Sequence, residues 1–362
     1  MTIRSAFLCL FLALGQLTVQ PIMAQKVAEA FDFSYEGNTL RGLIEKPKDR
    51  QPTALIVIIP GYGATNFVEG NWYGRLRDQF VDFGLAVMFW DKMGCGGSEG
   101  EFDANQPVES SAAEALVAIK KIQQQPGFAS LRIGLWGVSR GGWICPLIID
   151  QHPIDFWISV SGTDDKETFG YMLQSNLIIQ GKTEKEAQYL YDAWAEGQRI
   201  FYTGGSYEAA EKATRPLDQD SLCQALFGFG QDLDKPKAER EKQYYINQEK
   251  YMKKGYFDNK SGLFVYLQDF NLLLAQIKCP ILAVFGENDS QVDWKRTKAY
   301  YESHLGQRYE DQMEIKTLPQ CNHNIQKCDS CGFKEDLSKY QWQACPGYYD
   351  TMRQWLQKKG FL

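Results

Sequence analysis

Residues 131–142 read LRIGLWGVSRGG, and this stretch decides the fold. Residues 131–136 are mostly apolar, as in a buried β-strand, and an apolar pattern with helical spacing begins at Trp143. Between them lies Gly137-Val138-Ser139-Arg140-Gly141, a G-x-S-x-G pattern. A serine between a buried strand and a helix, with glycines two residues before and after it, is typical of a nucleophile held on a tight turn. In the alternative interpretation, Ser139 is only the N-cap of the following helix.

Short apolar runs alternate with helical patterns along most of the chain. Residues 53–59 form an almost continuous apolar run that ends at Pro60, as expected for a strand buried on both faces of a parallel sheet. The other predicted elements are a hairpin from residues 31–35 and 40–45, strands at 85–90, 156–160, 281–285 and 313–318, and helices at 108–122 and 351–357. This alternation predicts an α/β fold with a mainly parallel sheet and crossover helices.

One long segment, residues 164–270, does not alternate. It holds no convincing buried strand, and Thr183 with Glu186 is a capping-box signature at a helix start. The apolar face of that helix carries Ala187, Leu190, Tyr191, Trp194 and Phe201. We expect a helical cap at residues 164–270 that divides the core into residues 25–163 and 271–362. Most of its aromatic residues would pack against the core, and a few would line a substrate cavity.

Two loops after predicted strands contain a candidate acid and a candidate base. Asp289 follows the strand at 281–285, and His323 follows the strand at 313–318. Because the carboxyl ends of parallel strands meet at one edge of a sheet, both side chains should lie near Ser139. A hydroxyl with its ordinary pKa is a poor nucleophile at neutral pH. We therefore expect His323 to accept the serine proton while Asp289 orients the imidazole.

The sequence offers one alternative candidate for the catalytic acid and two other histidines as candidates for the base. Glu287 lies in the same loop as Asp289 and is the alternative acid. The chain contains three histidines. His152, next to Pro153 at a helix end, and His304, in a predicted amphipathic helix, are interpreted as capping or surface residues.

An acyl-transfer site of this kind also needs two backbone N–H donors for the oxyanion. One should be the N–H of Arg140, the residue after the nucleophile. For the other we predict the N–H of Tyr62, within Pro60-Gly61-Tyr62-Gly63, where the glycines permit a close approach of the backbone. A plain turn at residues 60–63 is the alternative.

Length and charge exclude some classes of protein. A chain of 362 residues fits one large α/β domain or two modest ones. Its 39 basic and 45 acidic residues give a net charge of −6, and the basic residues are scattered. This distribution argues against a nucleic-acid partner.

The N-terminus indicates export. Residues 1–24 combine one cation at Arg4, an apolar stretch at residues 6–14 and a small residue, Ala24, before Gln25. This pattern predicts a signal peptide at residues 1–24 and a periplasmic or secreted protein. An uncleaved N-terminal anchor is the alternative. No later segment approaches the roughly 20 apolar residues that a spanning helix needs, so we expect no stable membrane insertion.

Eight cysteines follow the signal peptide, and four of them lie in a loop at residues 321–345. In an exported chain these four indicate a disulfide-stapled loop, and the alternative is a zinc site with four thiolate ligands. Four cysteines allow three pairings, among which the sequence does not choose. We expect Cys321 with Cys345 and Cys328 with Cys331.

Taken together, the motifs resemble the α/β-hydrolase fold serine hydrolases. Gly61-Tyr62-Gly63 resembles the oxyanion loop of that family, with Pro60 in place of the usual histidine. Residues 91–98, DKMGCGGS, resemble its D-x-R-G-x-G-x-S loop, with Met93 in place of arginine. The resemblance covers about residues 31–362. Within the family, the chain is similar to exported esterases and serine aminopeptidase-like hydrolases. It implies a mainly parallel eight-stranded sheet, helices on both faces, and a cap inserted after the sixth strand.

The predicted activity is hydrolysis of a carboxylic ester through an acyl-enzyme on Ser139, without metal or organic cofactor. The substrate would be a small-molecule ester or a short peptide. An exported aminopeptidase or acyl-peptide hydrolase is the main alternative, in which Asp164, Asp165 and Glu167 would hold a substrate amine. An acyltransferase and a catalytically inactive binding protein are further alternatives.

Overall fold

The computed structural model describes residues 25–253, 255–305 and 312–362. The signal peptide predicted at residues 1–24 therefore lies outside the described residues. Within those ranges, no helix is both long and apolar enough to cross a bilayer.

A sheet of eight strands forms the centre of the molecule. The described residues contain twelve strands, of which β2 with β3 and β9 with β10 form two further two-stranded sheets. In chain order the twelve are β1 (Lys26–Ala30), β2 (Phe33–Tyr35), β3 (Asn38–Leu40), β4 (Gly42–Pro47), β5 (Ala54–Ile59), β6 (Ala86–Trp90), β7 (Arg132–Val138), β8 (Phe156–Val160), β9 (Tyr256–Asp258), β10 (Leu263–Val265), β11 (Ile281–Gly286) and β12 (Met313–Leu318). The spatial order in the sheet is β1-β4-β6-β5-β7-β8-β11-β12. The pairs β1/β4 and β4/β6 are antiparallel, and the remaining pairs are parallel. The predicted α/β-hydrolase fold is confirmed.

Helices cover both faces of this sheet. They are α1 (Gly74–Phe83), α2 (Val108–Gln123), α3 (Gly141–Gln151), α4 (Phe169–Ile179), α5 (Glu184–Tyr202), α6 (Tyr207–Gln219), α7 (Ser221–Phe227), α8 (Lys237–Met252), α9 (Phe270–Gln276), α10 (Trp294–Leu305) and α11 (Tyr348–Lys358). Helices α2, α3 and α9 pack on one face of the sheet, and α1 and α11 pack on the other.

Strand β5 is covered on both faces of the sheet, which explains its continuous apolar sequence. All six of its residues are buried. Leu55, Val57 and Ile59 join the core under α2 and α3, whereas Ala54, Ile56 and Ile58 join the core under α1 and α11. Because successive side chains of a strand point to opposite faces, a continuous apolar run is what a doubly covered strand requires.

The cap follows β8, the sixth strand of the sheet along the chain. It contains α4 to α8 and the hairpin of β9 and β10. The predicted capping box is present, because Thr183 Oγ1 accepts from the Glu186 N–H and Glu186 Oε2 accepts from the Thr183 N–H at 2.9 Å. The boundaries 164–270 stay a prediction.

Three details differ from the sequence expectations. The β9/β10 hairpin lies in a segment that was expected to lack strands, because strands of three residues are too short to give a readable alternation. The N-terminal hairpin predicted from residues 31–35 and 40–45 is present and is longer than predicted, because β1 pairs with β4 and β2 pairs with β3 in one continuous register, from Lys26 opposite Pro47 to Tyr35 opposite Asn38. Strand β1 was not predicted, since its alternating exposed and half-buried residues give it little apolar signal.

Candidate active site

Ser139 lies on the turn between β7 and α3 in a left-handed conformation, with φ 54°. A left-handed residue other than glycine is strained and is typical of functional turns. Gly137 permits this turn, because a Cβ at that position would lie 2.6 Å from Cys145 Sγ on α3. The Ser139 N–H donates to Val160 O at 2.9 Å, which fixes the turn against the end of β8.

Asp289 lies in the turn after β11 and is buried. Its Oδ1 accepts hydrogen bonds from the N–H groups of Gln291 at 2.8 Å and Val292 at 3.0 Å. Its Oδ2 lies 2.8 Å from Nδ1 of His323. Glu287, the alternative acid, is exposed to solvent. The geometry therefore pairs the histidine with Asp289.

His323 lies in the loop after β12, with only 6% of the residue exposed. Its carbonyl accepts a hydrogen bond from Ser161 Oγ at 2.7 Å. Ser161 directly follows Val160, whose carbonyl holds the Ser139 N–H, so the serine and histidine loops meet at the end of β8. Within the described residues, Ser139 Oγ makes no hydrogen bond to the His323 ring. Such bonds are often long in a free enzyme and tighten when substrate binds.

The acid and base loops are in direct contact. A Cβ on Gly286 would lie 2.3 Å from Asn322 O and 2.5 Å from Cys321 O, so no side chain fits at this position. The Asn288 N–H donates to Cys321 O at 3.1 Å. The glycine after β11 thus lets the histidine loop lie against the aspartate loop.

The cysteine-rich loop contains both predicted disulfides, Cys321–Cys345 and Cys328–Cys331. With these four sulfurs bonded in pairs, none is left as a thiolate for the zinc site considered from the sequence. In the part of the chain that the structure describes, no other cluster of His, Cys, Asp or Glu side chains is suited to a metal ion.

The stapled loop also braces the acid loop. Ser290, next to Asp289, donates from Oγ to Cys331 O at 2.8 Å. Asn176 of α4 donates to Ser290 O at 3.0 Å and accepts from the Phe333 N–H at 2.9 Å. The cap, the acid loop and the cysteine-rich loop are therefore linked by hydrogen bonds.

The two predicted oxyanion donors have free N–H groups. Within the described residues, neither the Tyr62 nor the Arg140 N–H donates a hydrogen bond to the protein. A Cβ built on Gly61 would lie 3.3 Å from Ser139 Cβ, so this loop lies beside the nucleophile. The Arg140 side chain points elsewhere, and its guanidinium donates to Ser111 Oγ at 3.1 Å and to Gln106 O.

Several polar residues at the site were missed by sequence reasoning. Lys92 Nζ lies 2.7 Å from both Gly61 O and Gly63 O, beside the predicted oxyanion donor. Tyr171 of the cap donates its hydroxyl to Asp289 O at 2.9 Å. The only signal for Lys92 was its place in the DKMGCGGS loop, which indicated a loop near the site and not the target of the ammonium.

A buried acidic cluster lies between the cap and the core. Asp164 forms an ion pair with Arg296, and its carbonyl accepts from Trp143 Nε1 on α3. Among the described residues, the buried Glu167 carboxylate forms no ion pair within 4 Å, although Arg296 donates to the Glu167 carbonyl at 3.0 Å. Desolvation raises the pKa of Glu167 to about 7, opposed by a hydrogen bond from the Gly170 N–H and by the charge of Arg296. Asp165 does not belong to the buried cluster of Asp164 and Glu167, and forms an ion pair with its neighbour Lys166.

Aromatic side chains connect this cluster to the nucleophile turn. The ring of Tyr266 lies 5.0 Å from that of Trp143, measured between centroids, and Trp143 is four residues after Ser139. Tyr266 packs edge-on against Phe264, which stacks on Tyr202 of α5. Glu167 lies close enough to Tyr202 and Tyr266 to contribute to the raised pKa of each phenol.

Comparison with known proteins identifies the family. The model of the X-Pro dipeptidyl-peptidase (S15) family matches residues 36–318, which is more than half of the chain. This chain belongs to that family. The matched part of this S15-family chain includes Ser139 and Asp289 and ends before His323. No curated protein matches the sequence.

Solved structures agree with the fold of this S15-family protein. A proline iminopeptidase from Mycobacterium smegmatis is 13% identical with a TM-score of 0.51, covering 91% of this chain and 98% of its own. DcsB in complex with a substrate analogue is 14% identical with a TM-score of 0.50, and the match covers 92% of this chain and 99% of the DcsB chain. The esterase Est1E from Butyrivibrio proteoclasticus, bound to ferulic acid, is 14% identical with a TM-score of 0.48, covering 91% and 98%. At 13% and 14% identity, the likeness to the first two of these structures concerns the fold alone.

Proposed function

We propose that this hydrolase cleaves carboxylic esters through an acyl-enzyme on Ser139. The observation that carries the proposal is the 2.8 Å hydrogen bond between His323 Nδ1 and Asp289 Oδ2 beside the strained Ser139 turn. Each of the three residues follows a different parallel strand, as in the serine hydrolases of this fold. Asp289 is the proposed acid and Glu287 is not.

The proposed reaction has two halves. His323 Nε2 removes the proton of the Ser139 hydroxyl as Oγ attacks the ester carbonyl, and Asp289 stabilises the imidazolium. The N–H groups of Tyr62 and Arg140 bind the oxyanion of the tetrahedral intermediate. Its collapse expels the alcohol with the proton from His323 and leaves an acyl-enzyme. Water, deprotonated by His323, then releases the acid and restores Ser139.

Ester cleavage has the smallest catalytic requirement of the candidate reactions, because its leaving group departs most readily. An alkoxide or phenolate leaves a tetrahedral intermediate more readily than an amine does, because the amine must be protonated first. A triad that acylates from a peptide therefore also acylates from the matching ester, whereas the reverse does not hold. An ester is therefore the favoured substrate class, and its hydrolysis by this triad requires no metal or organic cofactor.

A peptidase is the second candidate, and two observations favour it. The family to which the chain belongs is described by an X-Pro dipeptidyl-peptidase activity. Among the described residues, no cation lies within 4 Å of the buried Glu167 carboxylate, which is close to Tyr266, the ring that contacts Trp143. In this candidate function Glu167 binds the free amino group of a short peptide, because an ammonium compensates a desolvated carboxylate.

A substrate panel separates the two candidates. The initial rates would be compared for p-nitrophenyl esters, aminoacyl anilides and X-Pro anilides, with wild type, Glu167→Gln and the exposed control Glu287→Gln. An esterase hydrolyses only the esters and is insensitive to Glu167→Gln. A peptidase hydrolyses an anilide with a free amine, and Glu167→Gln raises its KM by at least 10-fold. A folded protein that turns over neither class contradicts the proposal.

We also propose that the protein is exported with residues 1–24 removed. The two disulfides support this compartment, because such bonds persist in oxidising environments. N-terminal mapping of the protein from a periplasmic or secreted fraction should find Gln25 as its first residue. Recovery of the full chain from the cytoplasm with four reduced thiols at residues 321–345 would contradict export.

A further inference from the structure

Lys92 is the second residue after β6, and its side chain reaches the loop that contains Tyr62. Its Nζ donates to Gly61 O and to Gly63 O, each at 2.7 Å, so the ammonium binds the carbonyl of the residue before Tyr62 and that of the residue after it. The backbone of Lys92 is fixed as well, since its N–H donates to Thr65 Oγ1 at 2.9 Å. We propose that Lys92 is a positioning residue that orients the Tyr62 N–H toward the oxyanion, an assignment that rests on the proposed acyl-enzyme function.

The geometry of the peptide bond connects the lysine to the donor. The carbonyl of Gly61 and the N–H of Tyr62 belong to one planar peptide unit. In a trans peptide these two groups point in opposite directions. When the ammonium holds Gly61 O on one side of the loop, the Tyr62 N–H must therefore point to the other side. A Cβ built on Gly61 would lie 3.3 Å from Ser139 Cβ, so the nucleophile is next to this loop, and we infer that it lies on the side to which the Tyr62 N–H points.

The loop has little else to hold it. Among the described residues, positions 61–63 make no hydrogen bond to another backbone group. Tyr62 is 65% exposed, so packing does little to fix the peptide plane. A charged donor on the carbonyl also polarises the peptide unit and strengthens its N–H as a donor. Removing Lys92 should therefore loosen the donor and weaken it.

Three titratable groups lie near enough to Lys92 to act on its pKa. Burial, together with a smaller effect of the nearby Arg140 guanidinium, lowers the pKa of Lys92 to about 8. Glu114 on α2 and Cys95 act in the opposite direction. As pH rises through 8, the ammonium loses its charge and becomes a weaker donor to the two carbonyls. The acylation rate should then fall, while ground-state binding of substrate changes little.

The test measures kcat and KM for a p-nitrophenyl ester between pH 6 and 10 in wild type, Lys92→Met and Lys92→Arg. Lys121→Met is the matched control, because Lys121 also donates to a backbone carbonyl, that of Asp32 at 2.6 Å, away from the site. We expect Lys92→Met to lower kcat by about 10- to 100-fold with little change in KM, below the 10²–10³-fold cost of deleting an oxyanion donor. The alkaline decrease near pH 8 should appear in wild type and Lys121→Met, and should disappear in Lys92→Arg, whose guanidinium stays charged.

Two outcomes would overturn the proposal. One is a folded Lys92→Met variant with the kcat and pH profile of the control. The other is a decrease in kcat near pH 8 that persists unchanged in Lys92→Arg. This second outcome would refute the positioning role even if Lys92→Met does not fold. Labelling of wild-type Ser139 by a fluorophosphonate separates this test from the proposed function. A labelled serine with no effect at Lys92 refutes the positioning role alone, whereas an unlabelled serine refutes the acyl-enzyme itself.

Discussion

At the scale of single residues, Asp289 divides its two carboxylate oxygens between two tasks. Oδ1 is held by the N–H groups of Gln291 and Val292, and Oδ2 faces His323 Nδ1. Because the backbone fixes the carboxylate plane, the histidine ring has one orientation in which Nδ1 meets an acceptor. The same backbone contacts make the site intolerant of an amide at this position.

Substitution of the three proposed catalytic residues should abolish activity without unfolding the protein. We expect Ser139→Ala and His323→Ala to lower kcat by on the order of 10⁴-fold or more, because each removes half of a nucleophile–base unit. Asp289→Asn should cost about 10⁴-fold, since an amide nitrogen facing Nδ1 favours the wrong tautomer. Ester hydrolysis and circular dichroism would be measured together. Glu287→Gln should behave as wild type, and the acid assignment is wrong if Glu287→Gln is inactive while Asp289→Asn is active.

At the scale of elements, the loop after β12 is a disulfide-bonded support for the base. Cys321 lies two residues from His323 and bonds to Cys345, 24 residues away. The second bond, Cys328–Cys331, closes a loop with a separation of only three residues. Since the entropic effect of a cross-link grows with the length of the closed loop, the two disulfides should contribute unequally to stability.

The paired variants Cys321→Ala/Cys345→Ala and Cys328→Ala/Cys331→Ala test this difference. In the chain-entropy model the first should lower the free energy of unfolding by about 3.5 kcal/mol and the second by about 2 kcal/mol. Urea denaturation gives both values, and kcat should fall more in the first pair because His323 is less restrained. Equal losses in the two pairs, or an unchanged kcat in the first, would contradict the supporting role.

The cap contains aromatic residues of two kinds. Trp194 packs with Leu173 and Leu190 in a core that belongs to the cap itself. Tyr266 is half-buried, contacts Trp143 and lies near Tyr62, which places it beside the nucleophile turn. The sequence showed both as aromatic residues of one segment and did not separate these roles.

We expect the two to respond differently to truncation. Trp194→Ala should destabilise the protein by about 3 to 5 kcal/mol, as large buried aromatics do. Tyr266→Ala should shift acyl-chain preference toward longer esters, with about 0.8 kcal/mol for each methylene that the new space buries. Melting temperatures and kcat/KM for p-nitrophenyl esters of increasing chain length would be compared. An unchanged chain-length profile in Tyr266→Ala would exclude this residue from the acyl site.

At the scale of the whole molecule, the sequence predicts what local pattern encodes. The apolar run of β5, the elbow around Ser139 and the order of Asp289 and His323 along the chain are local signals, and the structure brings these residues to one sheet edge. The contacts of Lys92 with the Gly61–Gly63 loop join residues about 30 positions apart, so no local pattern encodes them. The raised pKa of Glu167 likewise depends on burial that only the folded cap creates.

The central claim is that Ser139 is the nucleophile of an acyl-transfer reaction. The most direct measurement is reaction with a fluorophosphonate, followed by intact mass and peptide mapping, on wild type and on Ser139→Ala. We expect one adduct per wild-type chain, located on Ser139, and none on the folded Ser139→Ala variant. A folded wild-type protein that forms no adduct, or an adduct that maps to another residue and persists in Ser139→Ala, would contradict it.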